Sequence, residues 1–186
     1  MELDKAIKNR KSIRKYIDKD VPNELIEDLI NAARLAPSAK NRQPWKYMIV
    51  KDEIKNKIAD LMLEQLQRSK INLEKKIYNT NSSVKATALI IKQAPVLILV
   101  FRNKDDNWLV GDSLSIGGSI EHICLKATDL GLGSLWIRDT VFTKKEIAHL
   151  VGKDNMELVC AVSIGYTYDN SKGKKKKSLK EIMEWY

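Results

Sequence analysis

The chain has 186 residues, 44% hydrophobic and 31% charged, with a formal net charge of +9. That length predicts a single domain, residues 1–186, able to bury a core. No apolar run is long enough to cross a membrane, and residues 1–5 open directly into an amphipathic pattern rather than a signal peptide, so a cytoplasmic location is expected. The charge invites a polyanionic partner. It comes, however, from 26 Lys against 7 Arg, spread along a chain with 6% aromatics. Nucleic-acid interfaces more often cluster Arg with stacking rings.

In chain order, Leu3, Ala6 and Ile7 suggest a short helix. Arg10, Ser12 and Arg14 then alternate. If the segment is extended, all three share a face, and two guanidiniums with a hydroxyl suit a phosphate. If it is helical, Arg10 and Arg14 still share a face but Ser12 leaves it. A lone Arg-x-Ser-x-Arg is more often a solvated basic surface. Pro22 suits a first helical turn, and Leu25, Ile26, Leu29, Ile30 and Ala33 repeat at helical spacing up to Pro37. Pro37-Ser-Ala-Lys-Asn-Arg-Gln-Pro-Trp45 follows. Taken alone it is equally an ordinary turn, since Ser, Asn and Pro are turn residues, or a polar loop stiffened by two prolines. Trp45–Lys51 reads as a mostly buried strand.

Residues 54–93 are helical by pattern, with a polar break at Asn79–Ser83, and read as an excursion over the active site. Pro95–Phe101 is the clearest buried strand. Asp112 or Ser113 is placed to cap the next helix, whose buried face is Ile116, Ile120, Ile123, Cys124, Ala127 and Leu130. Gly117-Gly118 costs that helix about 1 kcal/mol per residue, which suggests close approach of a partner helix across a dimer interface. Gly131 suits the helix stop. Gly131-Leu-Gly133 is not a dinucleotide fingerprint, because a helix precedes it and Ser134–Ile137 reads as a strand. Thr143–Glu146 fits a capping box and Gly152 a stop. Glu157–Tyr166 is the last strand. Lys172–Lys180 holds six lysines in nine residues, yet Leu179, Ile182, Met183 and Trp185 beyond are apolar, as in a docked tail. Cys124 and Cys160 read as buried free thiols, and His122 and His149 receive no role. No metal-ligand spacing, nucleophile or catalytic dyad is found.

Arg10-Lys-Ser-Ile-Arg-Lys-Tyr16 together with Ala36-Pro-Ser-Ala-Lys-Asn-Arg-Gln-Pro-Trp45 resembles the N-terminal signature of the FMN-dependent nitroreductase family. The resemblance covers most of the chain. It implies an α+β fold with a central, mainly antiparallel sheet flanked by helices. It also implies an intertwined homodimer with FMN at the interface and a C-terminal extension, here residues 172–186, crossing to the partner. Too few strand–helix alternations for a doubly wound sheet agree with that class. By the same resemblance Arg10 and Ser12 hold the phosphate or ribityl end, Lys11 is an assisting position that is basic in many relatives, and Arg14 reaches the flavin pyrimidine edge. Pro37, Ser38, Ala39, Asn41 and Gln43 contact FMN from the other subunit, and Leu135, Trp136 and Ile137 line the flavin. Lys174 and Lys176 close on the phosphate, where many relatives carry Arg at the latter. Arg138 and Asp139 depart from the family, many of whose short members have glycine there.

The implied reaction is ping-pong hydride transfer from NADH or NADPH through FMN to a nitroaromatic or quinone, the cofactor carrying the chemistry. Alternatives are another flavin chemistry on the same fold, such as reductive dehalogenation or flavin cleavage, and, from a different class, a basic nucleic-acid-binding domain.

Overall fold

The computed structural model describes residues 1–72, 78–171 and 173–186. Among them four strands form one sheet: β1 (Trp45–Val50), β2 (Val96–Asn103), β3 (Gly133–Ile137) and β4 (Met156–Gly165), in spatial order β1-β2-β4-β3. All three pairings are antiparallel. The helices are α1 (Leu3–Asn9), α2 (Asn23–Arg34), α3 (Asp52–Asn72), α4 (Tyr78–Gln93), α5 (Leu109–Asp129) and α6 (Lys144–Leu150). The expected α+β class is therefore the observed one.

β2 and β4 are mainly apolar runs because helices cover both sheet faces. Val96, Ile98 and Val100 of β2, with Cys160, Val162 and Ile164 of β4, pack against Leu29 of α2 and Ile116, Ile120 and Ile123 of α5. Leu97, Leu99 and Phe101, with Leu158 and Ala161, pack against Ile58 and Met62 of α3, Ile91 of α4 and Ile147 of α6. A bulge between Val100 and Phe101 shifts the register, so Leu158 and Ala161 share a face despite their odd spacing. Each Val, Leu, Ile, Phe or Met among them, fully buried, contributes about 1.5–3 kcal/mol. Cys124 and Cys160 are free and buried as expected, and burial pushes their thiols up to about 11 and about 12.

Several local expectations fail for tertiary reasons. β1 is an edge strand with Lys46 and Ile49 exposed rather than a mostly buried one. Asn79–Ser83 is no break, since α4 begins at Tyr78; the weaker apolar stripe that the sequence suggests at Leu73 and Ile77 lies outside the described residues. α5 begins at Leu109, so Asp112 and Ser113 sit inside it rather than capping it. The capping box at Thr143 does not form: Thr143 is buried and its hydroxyl donates to the Thr140 carbonyl. A capping box forms instead at Ser178 and Glu181. Lys55 is buried at the start of α3, where its ammonium donates to the Ile91 and Lys92 carbonyls. It thereby satisfies carbonyls that the end of α4 leaves open.

The N-terminal segment lies along the free edge of β3. Ser12 forms a parallel bridge with Ser134, and Ile13 N–H donates to the Ser134 carbonyl at 2.9 Å. Glycines permit the approach. A Cβ at Gly133 would lie 2.8 Å from Ile13 Cγ2; one at Gly165 would lie 2.5 Å from Pro95 Cδ and 2.9 Å from the Tyr16 ring. Tyr16 then closes the seam by hydrogen bonding to the Ser163 hydroxyl at 2.8 Å.

Gly165→Ala should lower stability by about 1–3 kcal/mol through overpacking, read as a fall in the urea midpoint with unchanged slope. A second test concerns Glu157, which accepts from Lys144 at 2.6 Å and pairs with the buried Arg102. The Lys144 ammonium first, then the Arg102 guanidinium, hold its carboxyl below the usual carboxylate range. The folded pKa lies below the unfolded one, so the stabilisation is complete above about pH 4.3 and is lost as pH falls through the depressed value. Glu157→Gln should lower the melting temperature at pH 7 and flatten its fall between about pH 5 and 3.

Candidate functional site

Alternation along the bridged segment sorts its side chains. Ile13 is buried, while Ser12 and Arg14 are exposed and Arg10 and Lys11 are half-buried. The segment is thus extended, and the face away from the core carries two guanidiniums and a hydroxyl. Arg10 Nε pairs with Glu121 of α5 at 3.1 Å, and an Arg14 terminal nitrogen donates to the Ser12 carbonyl at 3.1 Å. Lys11 is committed elsewhere: its ammonium donates to the Asp169 and Ser171 carbonyls at 2.8 and 2.7 Å. It therefore ties the segment to the chain beyond β4, as do Ile17 N–H to the Tyr166 carbonyl and the Thr167 hydroxyl to the Lys15 carbonyl.

β3 brings its own residues beside these. Leu135 and Ile137 point into the core with α3, α4 and α6, so they can meet a ligand only through their main chain. Trp136 points the other way and is 45% exposed. Its ring lies near Gly117: a Cβ there would sit 3.6 Å from the indole, an ordinary contact, and one at Gly118 would meet nothing. Nothing among the described residues therefore explains that glycine pair. Cationic and hydroxyl donors beside an exposed indole form a donor set for an anion carried on a flat ring.

The Pro37–Gln43 loop is held at another place, on the start of α5. Ala39 N–H donates to the Ser115 hydroxyl at 3.2 Å and Gln43 N–H to the Ser38 hydroxyl at 2.9 Å. Lys40, Asn41 and Gln43 have φ of 50°, 54° and 47°. For residues other than glycine each such conformation costs about 1–2 kcal/mol. Arg42 restrains this strained turn. It donates from Nε to Asp112 at 3.2 Å and from a terminal nitrogen to Asp105 at 3.1 Å, and its guanidinium stacks 4.4 Å from the Trp108 ring. These charge-assisted bonds and the ring contact hold the turn against its strain. Asp112 is 1% exposed and is an ion-pair partner of Arg42 rather than a cap; neither role shows in the sequence, because an ion pair between distant positions leaves no local signature.

Among the described residues no hydrogen bond or ion pair joins this loop to the Arg10–Arg14 segment. Lys174 and Lys176 are exposed and likewise are not brought to it. Within one chain the residues singled out from the sequence thus form two groups and a separate tail. His122 bonds through Nδ1 to the Ala32 carbonyl and His149 to Asp154.

Comparison with known proteins accords with this architecture. The family model described as "Nitroreductase family" matches residues 7–166. A putative NADH dehydrogenase/NAD(P)H nitroreductase of Archaeoglobus fulgidus is 31% identical over 89% of this chain and 85% of its own length. A protein of the same description from Methanothermobacter thermautotrophicus is 32% identical over 73% of this chain; the match spans only 60% of that relative. Among solved structures, a BluB-like flavoprotein from Clostridium difficile 630 superposes with a TM-score of 0.83 at 26% identity, covering 100% of this chain and 99% of the other. With the family model spanning both the bridged N-terminal segment and the whole sheet, the chain belongs to the nitroreductase family.

Proposed function

We propose that this protein takes hydride from NADH or NADPH and delivers it through bound FMN to electron-poor acceptors such as nitroaromatics and quinones. Membership of its family makes it an oxidoreductase. The observation that carries the finer reading is the β3 seam, where cationic and hydroxyl donors and an exposed indole are set along one strand edge.

That donor set suits FMN, which is a phosphate at one end and a flat aromatic ring at the other. Arg10, Ser12 and Arg14 supply the donors, with Arg14 toward the flavin pyrimidine edge. Lys11 acts by fixing the segment to Asp169 and Ser171. Trp136 contributes its ring, and Leu135 and Ile137 their main-chain groups. When bound, FMN accepts hydride from the nicotinamide and passes it to the acceptor. The chain's part is to hold the stack at reacting distance and to keep a positive charge beside the ring.

The remaining site residues belong, in this reading, to a second copy of the chain. Pro37, Ser38, Ala39, Asn41 and Gln43, with Lys174 and Lys176, complete the site across a homodimer interface. Exposed apolar side chains support this. Leu109, Val110 and Leu114 stand out from α5, and Leu179, Ile182, Met183 and Trp185 from the tail. Lys176 supplies charge to the phosphate without the planar fork of an arginine.

The purified protein should show flavin absorbance equivalent to about one FMN per chain. Anaerobic NADH or NADPH should bleach it, and a nitroaromatic should restore it with no loss of flavin. Sedimentation should give a dimer of the 21.3 kDa chain. A colourless protein that cannot be loaded with FMN would overturn the reading; flavin consumed irreversibly would point to a flavin-cleaving enzyme. In Arg42→Lys the fork and the stack on Trp108 are lost while a charge remains. Its FMN dissociation constant should rise about tenfold, measured by quenching of flavin fluorescence, with an unchanged far-ultraviolet spectrum.

A further inference from the structure

Arg138 follows β3 directly, four extended residues or about 13 Å beyond the Ser134 bridge that seats the Arg10–Arg14 segment. It is exposed, and its guanidinium lies over the Phe142 ring at 5.6 Å from the centroid. Phe142 is itself 42% exposed. Among the described residues no carboxylate or carbonyl accepts from Arg138, so its in-plane N–H groups are uncommitted. The neighbouring carboxylate does not neutralise it by contact. Asp139 turns toward α4 instead, where one oxygen accepts from the Ser83 hydroxyl at 2.8 Å and the Thr87 hydroxyl at 3.0 Å.

These two contacts divide the labour. Asp139 fastens α4 to the end of β3 and fixes the chain direction there. Arg138 is left as a cation with one face supported by an aromatic ring and its edge open. Such an edge donates in a planar fork, the geometry that a carboxylate accepts bidentately. An exposed phenyl ring alongside offers a flat apolar surface to an aromatic body.

We propose that Arg138 is a specificity-determining residue that selects acceptors bearing an anionic group, aromatic carboxylates first among them. This rests on the β3 seam being the flavin site, as proposed above. Arg138 pairs with the carboxylate and Phe142 packs against the ring that carries it. The net charge of +9 adds long-range attraction for the same class of molecule.

The test uses the FMN-loaded protein and two matched acceptors, 4-nitrobenzoate and 4-nitrobenzamide, which differ in charge. Their kcat/KM ratio is measured for the wild type, Arg138→Gln and Arg138→Lys. Calorimetry of benzoate and benzamide, which are not reduced, gives a binding readout independent of turnover. The charged-over-neutral ratio should fall about tenfold in Arg138→Gln, mainly through KM. It should recover in part in Arg138→Lys, and rising salt should weaken it in the wild type. Benzoate should bind more tightly than benzamide only where the cation is present. An unchanged ratio and equal benzoate binding in wild type and Arg138→Gln would overturn the proposal. Failure to reduce both nitro compounds would instead sink the reductase reading, while the benzoate comparison would still decide the role of Arg138.

Discussion

The contact on which the site depends is the seam between the Arg10–Tyr16 segment and the edge of β3. β3 is an edge strand, and an edge strand presents unpaired backbone groups. Here the chain's own N-terminal segment covers part of that edge through the Ser12–Ser134 bridge. The approach is possible because Gly133 and Gly165 have no Cβ to collide with Ile13, Pro95 and Tyr16. One backbone pairing thus does two jobs. It satisfies the sheet edge, and alternation then sends Ile13 inward while Ser12 and Arg14 face away. The cations are placed by the same hydrogen bonds that finish the fold.

The second polar group is placed by a different principle. The Pro37–Gln43 turn is strained at three residues and does not hold its shape by hydrogen bonding within itself alone. Its shape is imposed from α5 through Arg42, Asp112 and Ser115. Strain of this kind persists where surrounding contacts over-determine it. The loop and the helix that carries the exposed Leu109, Val110 and Leu114 are consequently one mechanical unit. Anything that packs on α5 bears on the loop through the Arg42 contacts.

The legible parts of the sequence were those whose signal is local. β2 and β4 announce themselves as mainly apolar runs because both faces are buried, and α2 by its regular stripe ending at a proline. The family resemblance rested on two short blocks, and the family model extends it over residues 7–166. What escaped was long-range. Asp112 looked like a cap because capping statistics are local, whereas its partner lies 70 positions earlier. Thr143 had the right neighbours for a capping box but donates to Thr140 instead. Lys55 in a polar helix gives no hint that it is buried and donates to the carbonyls at the end of another helix. Leu135, Trp136 and Ile137 were legible as a group, but which of them faces outward required the sheet.

The two thiols have a consequence for chemical durability. Quinones, among the acceptors proposed for this protein, are electrophiles that add to thiolates, and it is the thiolate that reacts. Cys124 and Cys160 are both out of solvent, and burial raises both to values at which almost no thiolate exists near neutrality. The chain holds no other cysteine. A chain built this way presents no reactive thiolate to such compounds, and so resists thiol alkylation by the acceptors proposed for it.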